Sequence, residues 1–248
     1  MNTGPLRPHP QLARYYSGDS DREGVVNRIF DEGAPYYEWI CRMMSFGTGE
    51  RYRKQAIRNA GLEPSMRVLD VATGTGLVLR AAAEMSGGTG LAVGLDPSGG
   101  MLRECRKSST APLLQGRGEH LPFADASFHL VSMGYGLRHV SDLRTLFAEY
   151  LRVLKPGGRV LLLEISQPRS GVGRWLNRLY LRRLVPFVTR VGTSTDAGRM
   201  MDYFWDTIEN CVSPDVILDA LRAAGFPNAR RHVKGGVLSE YLGEKPRT

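Results

Sequence analysis

Apolar positions along this chain change their period more than once. From Asp21 to Ala60 they recur at helical spacing, with Val25 and Ile29 and then Ile40, Met43 and Met44 on one side. The Gly33-Ala34-Pro35 triplet predicts an interruption of that helix. Beyond it, short apolar runs alternate with amphipathic stretches. Arg67–Val71 reads as a first buried strand followed by a helix over Gly76–Met85, and Leu91–Leu95 as a second strand followed by a helix over Gly99–Arg106. Pro112–Gln115 and Ser127–Met133 read as the third and fourth strands, Leu143–Leu154 as a helix and Gly158–Ser166 as a fifth strand. Lys155-Pro156-Gly157-Gly158 predicts a turn between the last two.

Strands separated by helices of about ten residues imply right-handed crossovers and a parallel sheet, an α/β fold. Residues 167–210 break the rhythm with a basic, aromatic insertion. Pro214–Ala224 then predicts a helix stopped by Gly225, and Val233 with Val237–Leu242 an antiparallel hairpin closing the sheet. Residues 1 to about 20 read as a poorly ordered leader, leaving 21–248 as one domain with a lid insertion.

Composition narrows the class. The chain has 248 residues, 42% hydrophobic and 23% charged, as expected of a globular domain, and no apolar run long enough to span a bilayer. Cys41, Cys105 and Cys211 are scattered, which argues against a disulfide framework or zinc site and makes a reducing cytoplasm the expected compartment. The net charge of +8, from 28 arginines and 5 lysines against 25 acids, would suit nucleic acid, anionic lipid or an acidic substrate. No base-flipping motif or appended binding domain accompanies it, so a nucleic-acid partner is not expected.

The chemistry starts at Asp70-Val71-Ala72-Thr73-Gly74-Thr75-Gly76, which follows a strand and opens a helix. Glycines there let the backbone approach a ligand, and open parallel sheets bind ligands at the carboxyl ends of their strands. Asp96, twenty residues after Gly76, ends the second strand and can accept from both ribose hydroxyls. The loop reads Gly-Thr-Gly with no third glycine, favouring a mononucleoside such as S-adenosylmethionine over a dinucleotide.

Over roughly residues 25–242 the chain resembles the C-methyltransferases of ubiquinone and menaquinone biosynthesis, with a Rossmann-like S-adenosylmethionine-dependent methyltransferase fold. The likeness rests on Val26-Asn27-Arg28-Ile29-Phe30, Tyr37, Met44-Ser45-Phe46-Gly47, Val68–Gly76 and Gly94-Leu95-Asp96-Pro97-Ser98. Glu119 with Leu121-Pro122-Phe123, Tyr135-Gly136-Leu137-Arg138-His139-Val140 and Leu154–Arg159 complete it. It implies a methyl donor held by Asp70, Ala72, Gly74, Thr75, Gly76, Asp96 and Pro97, its adenine near Arg117, Gly118 and Glu119 and its sulfonium near Gly134. Arg117 stands where the family usually has Asn or Asp, and Gly134 where it has Ser; the second change is expected to open space beside the donor.

Methylation of a quinol carbon needs the ring hydroxyl deprotonated or hydrogen-bonded. His139 is the expected base, Arg138 a fixed cation for the phenolate, and Tyr135 a partner for the ring or its oxygens; an ion pair of Arg138 with Asp142 or Glu164 is the alternative. Tyr37, Phe46 and Tyr203 are expected to contact the prenylated quinone or quinol, whereas His9, His120, His129 and His232 read as structural or surface residues. Within the insertion, Arg174, Arg178 and Arg182 recur every four residues beside an apolar face. That suits a lid, either resting on an anionic membrane surface or packed on the domain. A related reading is the rhodoquinone biosynthesis type, which uses S-adenosylmethionine as amino donor with Mn²⁺ and would recruit Asp206 and Glu209; the methylase itself needs no metal. A non-catalytic nucleoside-binding member of a quinone-synthesis complex is a third reading, and the sequence leaves a homodimer open.

Overall fold

The computed structural model describes residues 4–87, 90–166 and 194–247. Most of the expected lid, residues 167–193, lies outside the described residues. A long helix α1 (Asp19–Met44) and α2 (Gly49–Asn59) precede β1 (Arg67–Val71), α3 (Leu77–Ser86), β2 (Leu91–Asp96), α4 (Gly99–Arg106), β3 (Leu113–Gln115) and β4 (Phe128–Gly134). After a one-turn 3₁₀ segment (Leu137–His139) come α5 (Leu143–Val153), β5 (Leu154–Ile165), α6 (Thr195–Glu209), α7 (Pro214–Ala224), β6 (Arg230–Lys234) and β7 (Leu238–Glu244).

The strands form one seven-stranded sheet in the order β3-β2-β1-β4-β5-β7-β6. The first five pair in parallel, while β7 runs antiparallel to both β5 and β6. The central strands are apolar runs buried on both faces, Val160 to Leu163 of β5 among them, as covered parallel strands must be. On one face α5 and α7 pack through residues such as Leu146, Phe147 and Leu221; on the other α2 and α3 pack through Ile57, Leu79 and Ala82. The helices start where side chains can satisfy their first N–H groups. Asp142 accepts from Arg144 and Thr145 at α5, Ser98 from Met101 at α4, and Ser213 precedes Pro214 at α7. The order reverses between β2-β1 and β4, which opens a cleft at the carboxyl ends of β1, β2 and β4.

Three expectations are corrected. Helix α1 is continuous through Gly33-Ala34-Pro35 because neighbours use the irregularity. Gly33 gives room to Met200 of α6, and Pro35 leaves the Asp31 carbonyl without its helical donor, just where Gly100 of α4 lies against it. The break comes instead at Phe46 and Gly47, both at positive φ (48° and 75°). The segment read as a leader is packed from residue 4 onward. Leu6 N–H donates to Asp142 (2.8 Å), Val212 N–H to the Pro8 carbonyl (2.8 Å), and Tyr15 hydroxyl to Asp206 (2.6 Å), while Tyr16 is in the core. Residues 155–158, expected as a turn, are an irregular start to β5: the register against β4 shifts between Phe128 and Leu130, and Gly157 takes φ 76°.

Helix α1 roofs the cleft and rests on α4 at Gly100. A Cβ there would lie 2.7 Å from the Asp31 Cα and 2.9 Å from its carbonyl oxygen. Gly100→Ala is therefore expected to cost about 1–3 kcal/mol by forcing two backbones apart. Urea unfolding with an unchanged midpoint would show that α1 does not bear on α4.

Candidate active site

The β1–α3 turn is shaped by positive φ at Ala72 (51°), Gly74 (57°) and Gly76 (86°). Thr73 N–H donates to the Leu95 carbonyl and Gly76 N–H to the Thr73 carbonyl, so the turn hangs from β2. Asp70, buried at the end of β1, accepts from Thr73 Oγ1 and Ser132 Oγ, both at 2.7 Å, and so clamps the turn to β4. Burial pushes its carboxyl up to about 6, against the pull of the two hydroxyls.

Asp96 ends β2. Its Oδ2 accepts from Gly74 N–H and its Oδ1 from Ser98 N–H, each at 2.8 Å. Each oxygen retains a lone pair for a further donor, the need of a ribose diol. Burial raises this carboxyl also to about 6. Gly74 has nothing within 4 Å of where a Cβ would stand, so its bare backbone faces open space. Asp31 of α1 accepts from Ser98 Oγ (2.6 Å) and Gly100 N–H (2.7 Å), placing an anion at the α4 N-terminus and fixing the roof.

The cleft has two compartments that share Tyr37, Ala72, Gly74, Gly134 and Tyr135. The larger holds Asp96, Pro97, Met101, Arg117, Gly118 and Glu119 on one side and Phe30, His139, Val140 and Phe204 on the other. A Cβ on Gly118 would meet Leu146 and Val71, so only bare backbone fits there. Arg117 reaches across the mouth to Glu23 of α1 (2.7 Å), and Glu119 accepts from Ser141 N–H (2.7 Å). Gly134 does not open space as expected: a Cβ would lie 2.8 Å from Val78 Cγ2, so Val78 fills it.

The smaller compartment contains a residue that sequence reading missed. Arg53 of α2 is only 8% exposed, lines this recess with Asp70, Thr73 and Thr75, and makes no ion pair with a described residue. Its Nε and the Thr75 hydroxyl are buried without hydrogen-bond partners among the described residues. A buried cation without an anion is costly, so this recess could hold a carboxylate. The signal in sequence was a basic residue on the amphipathic helix before β1, indistinguishable there from its exposed neighbours.

The acceptor residues divide. His139 lines the larger compartment, its ring 4.9 Å from Phe30, 5.4 Å from Tyr203 and 6.4 Å from Phe204 by centroids, and neither ring nitrogen has a hydrogen-bond partner among the described residues. Burial, with Arg138, His9 and Arg22 nearby, holds its pKa well below the usual imidazole value, so it is neutral at pH 7. Tyr135 sits at φ 63°, a strained conformation held by Tyr135 N–H donating to Leu163 (2.7 Å), and lines both compartments, as does Tyr37. Two expected substrate contacts are elsewhere. Phe46 is 82% exposed on the turn after α1, and Tyr203 is fully buried behind His139 and Phe30.

Arg138 is not at the cleft either. Wholly buried, it donates to Glu164 (2.8 Å), Thr207 Oγ1 (3.1 Å) and the carbonyls of Tyr135 (3.2 Å) and Phe204 (3.3 Å), and it lies over the Phe204 ring. The ion-pair alternative with Glu164 is the one realised. Asp206 is engaged by Tyr15 and Arg14, and no group of three metal-ligating side chains occurs among the described residues. Because Arg138→Ala would strand the Glu164 carboxylate, it is expected to destabilise the fold by about 3–5 kcal/mol. A variant with wild-type melting and reduced turnover alone would instead place Arg138 in the chemistry.

The profile of the ubiE/COQ5 methyltransferase family matches residues 18–245. The ubiquinone/menaquinone biosynthesis C-methyltransferase UbiE of Geotalea daltonii is 32% identical over 89% of this chain and 96% of its own. The demethylmenaquinone methyltransferase of Thermus thermophilus is 31% identical over 88% of this chain and 100% of its own. Among solved structures, a SAM-dependent methyltransferase of Aquifex aeolicus superposes with TM-score 0.56 at 17% identity, covering 77% of this chain and 88% of that one. Phosphoethanolamine N-methyltransferase 2 of Haemonchus contortus, in complex with S-adenosyl-L-methionine, gives 0.61 at 16%, covering 87% and 57%. These two show the fold, a Rossmann-like SAM-dependent methyltransferase sheet. With the family profile matched from residue 18 to residue 245 and relatives above 30% identical over most of both chains, this chain belongs to the ubiE/COQ5 methyltransferase family.

Proposed function

We propose that this protein methylates a ring carbon of a prenylated benzoquinol or naphthoquinol at the expense of S-adenosylmethionine. The observation that carries the reading is the two-compartment cleft. A nucleoside-type half around Asp96 and the buried guanidinium of Arg53, which makes no ion pair with a described residue, flank a meeting point at Gly134 and Tyr135, which opens onto the aromatic walls around His139. Asp96 would hold the ribose hydroxyls, Gly118 the adenine edge through its backbone, and Arg53 with Thr75 the carboxylate. The donor supplies an electrophilic methyl on a sulfonium. Phe30, Tyr37 and Phe204 stack or abut the acceptor ring and exclude water. His139, neutral and without a hydrogen-bond partner among the described residues, accepts the proton of the ring hydroxyl as the ring carbon attacks the methyl and the methyl–sulfur bond breaks, releasing the neutral thioether. The proton on the methylated carbon is then lost to water as the ring rearomatises, and the imidazolium returns its proton to the ring oxygen.

Incubation with S-adenosylmethionine and a demethylated quinol should give a product heavier by one methyl. Replacement of a methoxy by an amine, or no product at all, would overturn the proposal. Asp96→Ala and Arg53→Ala should each weaken donor binding about ten- to a hundred-fold by calorimetry, the worth of one or two hydrogen bonds to a charged group; wild-type affinity in both would remove these residues from the donor site.

The pH dependence separates the two halves. Asp96, raised to about 6, is a carboxylate at pH 7, and donor affinity should fall as pH drops through about 6 and the acceptor lone pairs are protonated. His139, lowered by burial, keeps its base form below the ordinary value of 6.5, so kcat at saturating donor should hold through pH 6.5 and fall only beneath it. A limb above 6.5, or one unchanged in His139→Gln, would exclude His139 as the base.

A further inference from the structure

Five polar atoms behind the aromatic wall are buried with no hydrogen-bond partner among the described residues. They are both ring nitrogens of His139, Nε2 of His9, and the hydroxyls of Tyr16 and Tyr203. A dry polar atom costs about 1–3 kcal/mol, so a cluster of them calls for a shared partner. His9, 3% exposed, and Tyr16 arrive on the packed N-terminal segment.

The hydrogen bonding of His9 settles its tautomer. Its Nδ1 lies 2.6 Å from the Pro10 carbonyl oxygen. A carbonyl only accepts, so Nδ1 carries the proton and donates. Burial lowers the His9 pKa, the ring is neutral, and Nε2 bears a lone pair. The backbone carbonyl of Arg138, the residue before His139, lies beside this ring, and Nε2 has no hydrogen-bond partner among the described residues. Two acceptors cannot satisfy each other, but one water can donate to both. Such a water keeps its own lone pairs for an N–H of His139. Among the described residues the ionisable groups around His139 are Arg138, Arg22, His9 and Tyr203, with no carboxylate to orient the ring.

We infer that His9 is a positioning residue for His139: through one bridging water that also bonds the Arg138 carbonyl, it fixes the imidazole tautomer that presents a lone pair to the acceptor hydroxyl. The inference rests on His139 acting as the base proposed above. His9→Phe keeps the ring volume and removes the acceptor, whereas His9→Gln keeps an amide oxygen in reach. His9→Phe should lower kcat about tenfold, the scale of one lost orienting hydrogen bond, with donor affinity within about twofold of wild type. His9→Gln should recover most of the loss, and adding His9→Phe to His139→Phe should cost nothing further, since the two act as one unit. Equal losses in both His9 variants, or a full His9→Phe loss in the His139→Phe background, would overturn the inference. Full turnover in His139→Phe alone would instead sink the base assignment and this inference with it. NMR of ring-nitrogen-labelled histidine in the unmodified protein reads the tautomer without any variant: a single neutral His139 tautomer supports the inference, and a mixture refutes it.

Discussion

A guanidinium with no exposed surface sits where β5, α6 and the turn after β4 meet. The four partners of Arg138 come from those three parts of the chain, Glu164, Thr207 with the Phe204 carbonyl, and the Tyr135 carbonyl. Burying such a charge is tolerable only when its donors find acceptors and one partner is an anion. Glu164 also accepts from Leu137 N–H (3.0 Å), so the same carboxylate pins the start of the 3₁₀ turn. The immediate neighbours of this hub in space, Tyr135, His139 and Phe204, are the ones that face the cleft. A charge buried away from the cleft thereby sets the geometry of the residues that line it.

The compartment around Asp96 follows a different logic, in which side chains serve to shape the backbone that lines it. Asp70 and Asp96 spend much of their hydrogen-bonding capacity on the β1–α3 turn itself, drawing Thr73 and Gly74 into place. The left-handed backbone at Ala72 and Tyr135, unusual for residues with a Cβ, flanks the meeting point of the two compartments. Strain of this kind persists only where surrounding contacts over-determine it, and here it aims two adjacent turns at one point.

Much of this was legible in advance, for local reasons. Alternating apolar runs and helical stretches specify a parallel sheet, and a Gly-rich turn followed by an acid at the end of the next strand marks the cleft at its carboxyl edge. What stayed hidden depends on partners distant in sequence. Pro35 reads as a helix breaker because its use, exposing the Asp31 carbonyl beside Gly100, is a contact between α1 and α4. For Arg138 the sequence leaves a catalytic cation and an ion pair with Asp142 or Glu164 both open until Glu164 is seen against it, and Arg53 carries no signal until α2 is laid on the recess. The prolines of the first ten residues suggest disorder, yet Pro8 and Pro10 offer the carbonyls that hold Val212 and His9.

That N-terminal segment has a consequence for how the molecule is made. Tyr15 bonds Asp206 across 191 residues of chain, and Leu6 bonds Asp142 across 136. Loop closure over such separations is entropically expensive and is favoured only after the intervening sheet has formed. During synthesis the first residues therefore emerge long before their docking surface exists. The wall behind His139 can close only once α6 has left the ribosome, so a translation product truncated before α6 can pair the five parallel strands while Tyr15 still lacks Asp206 to dock on.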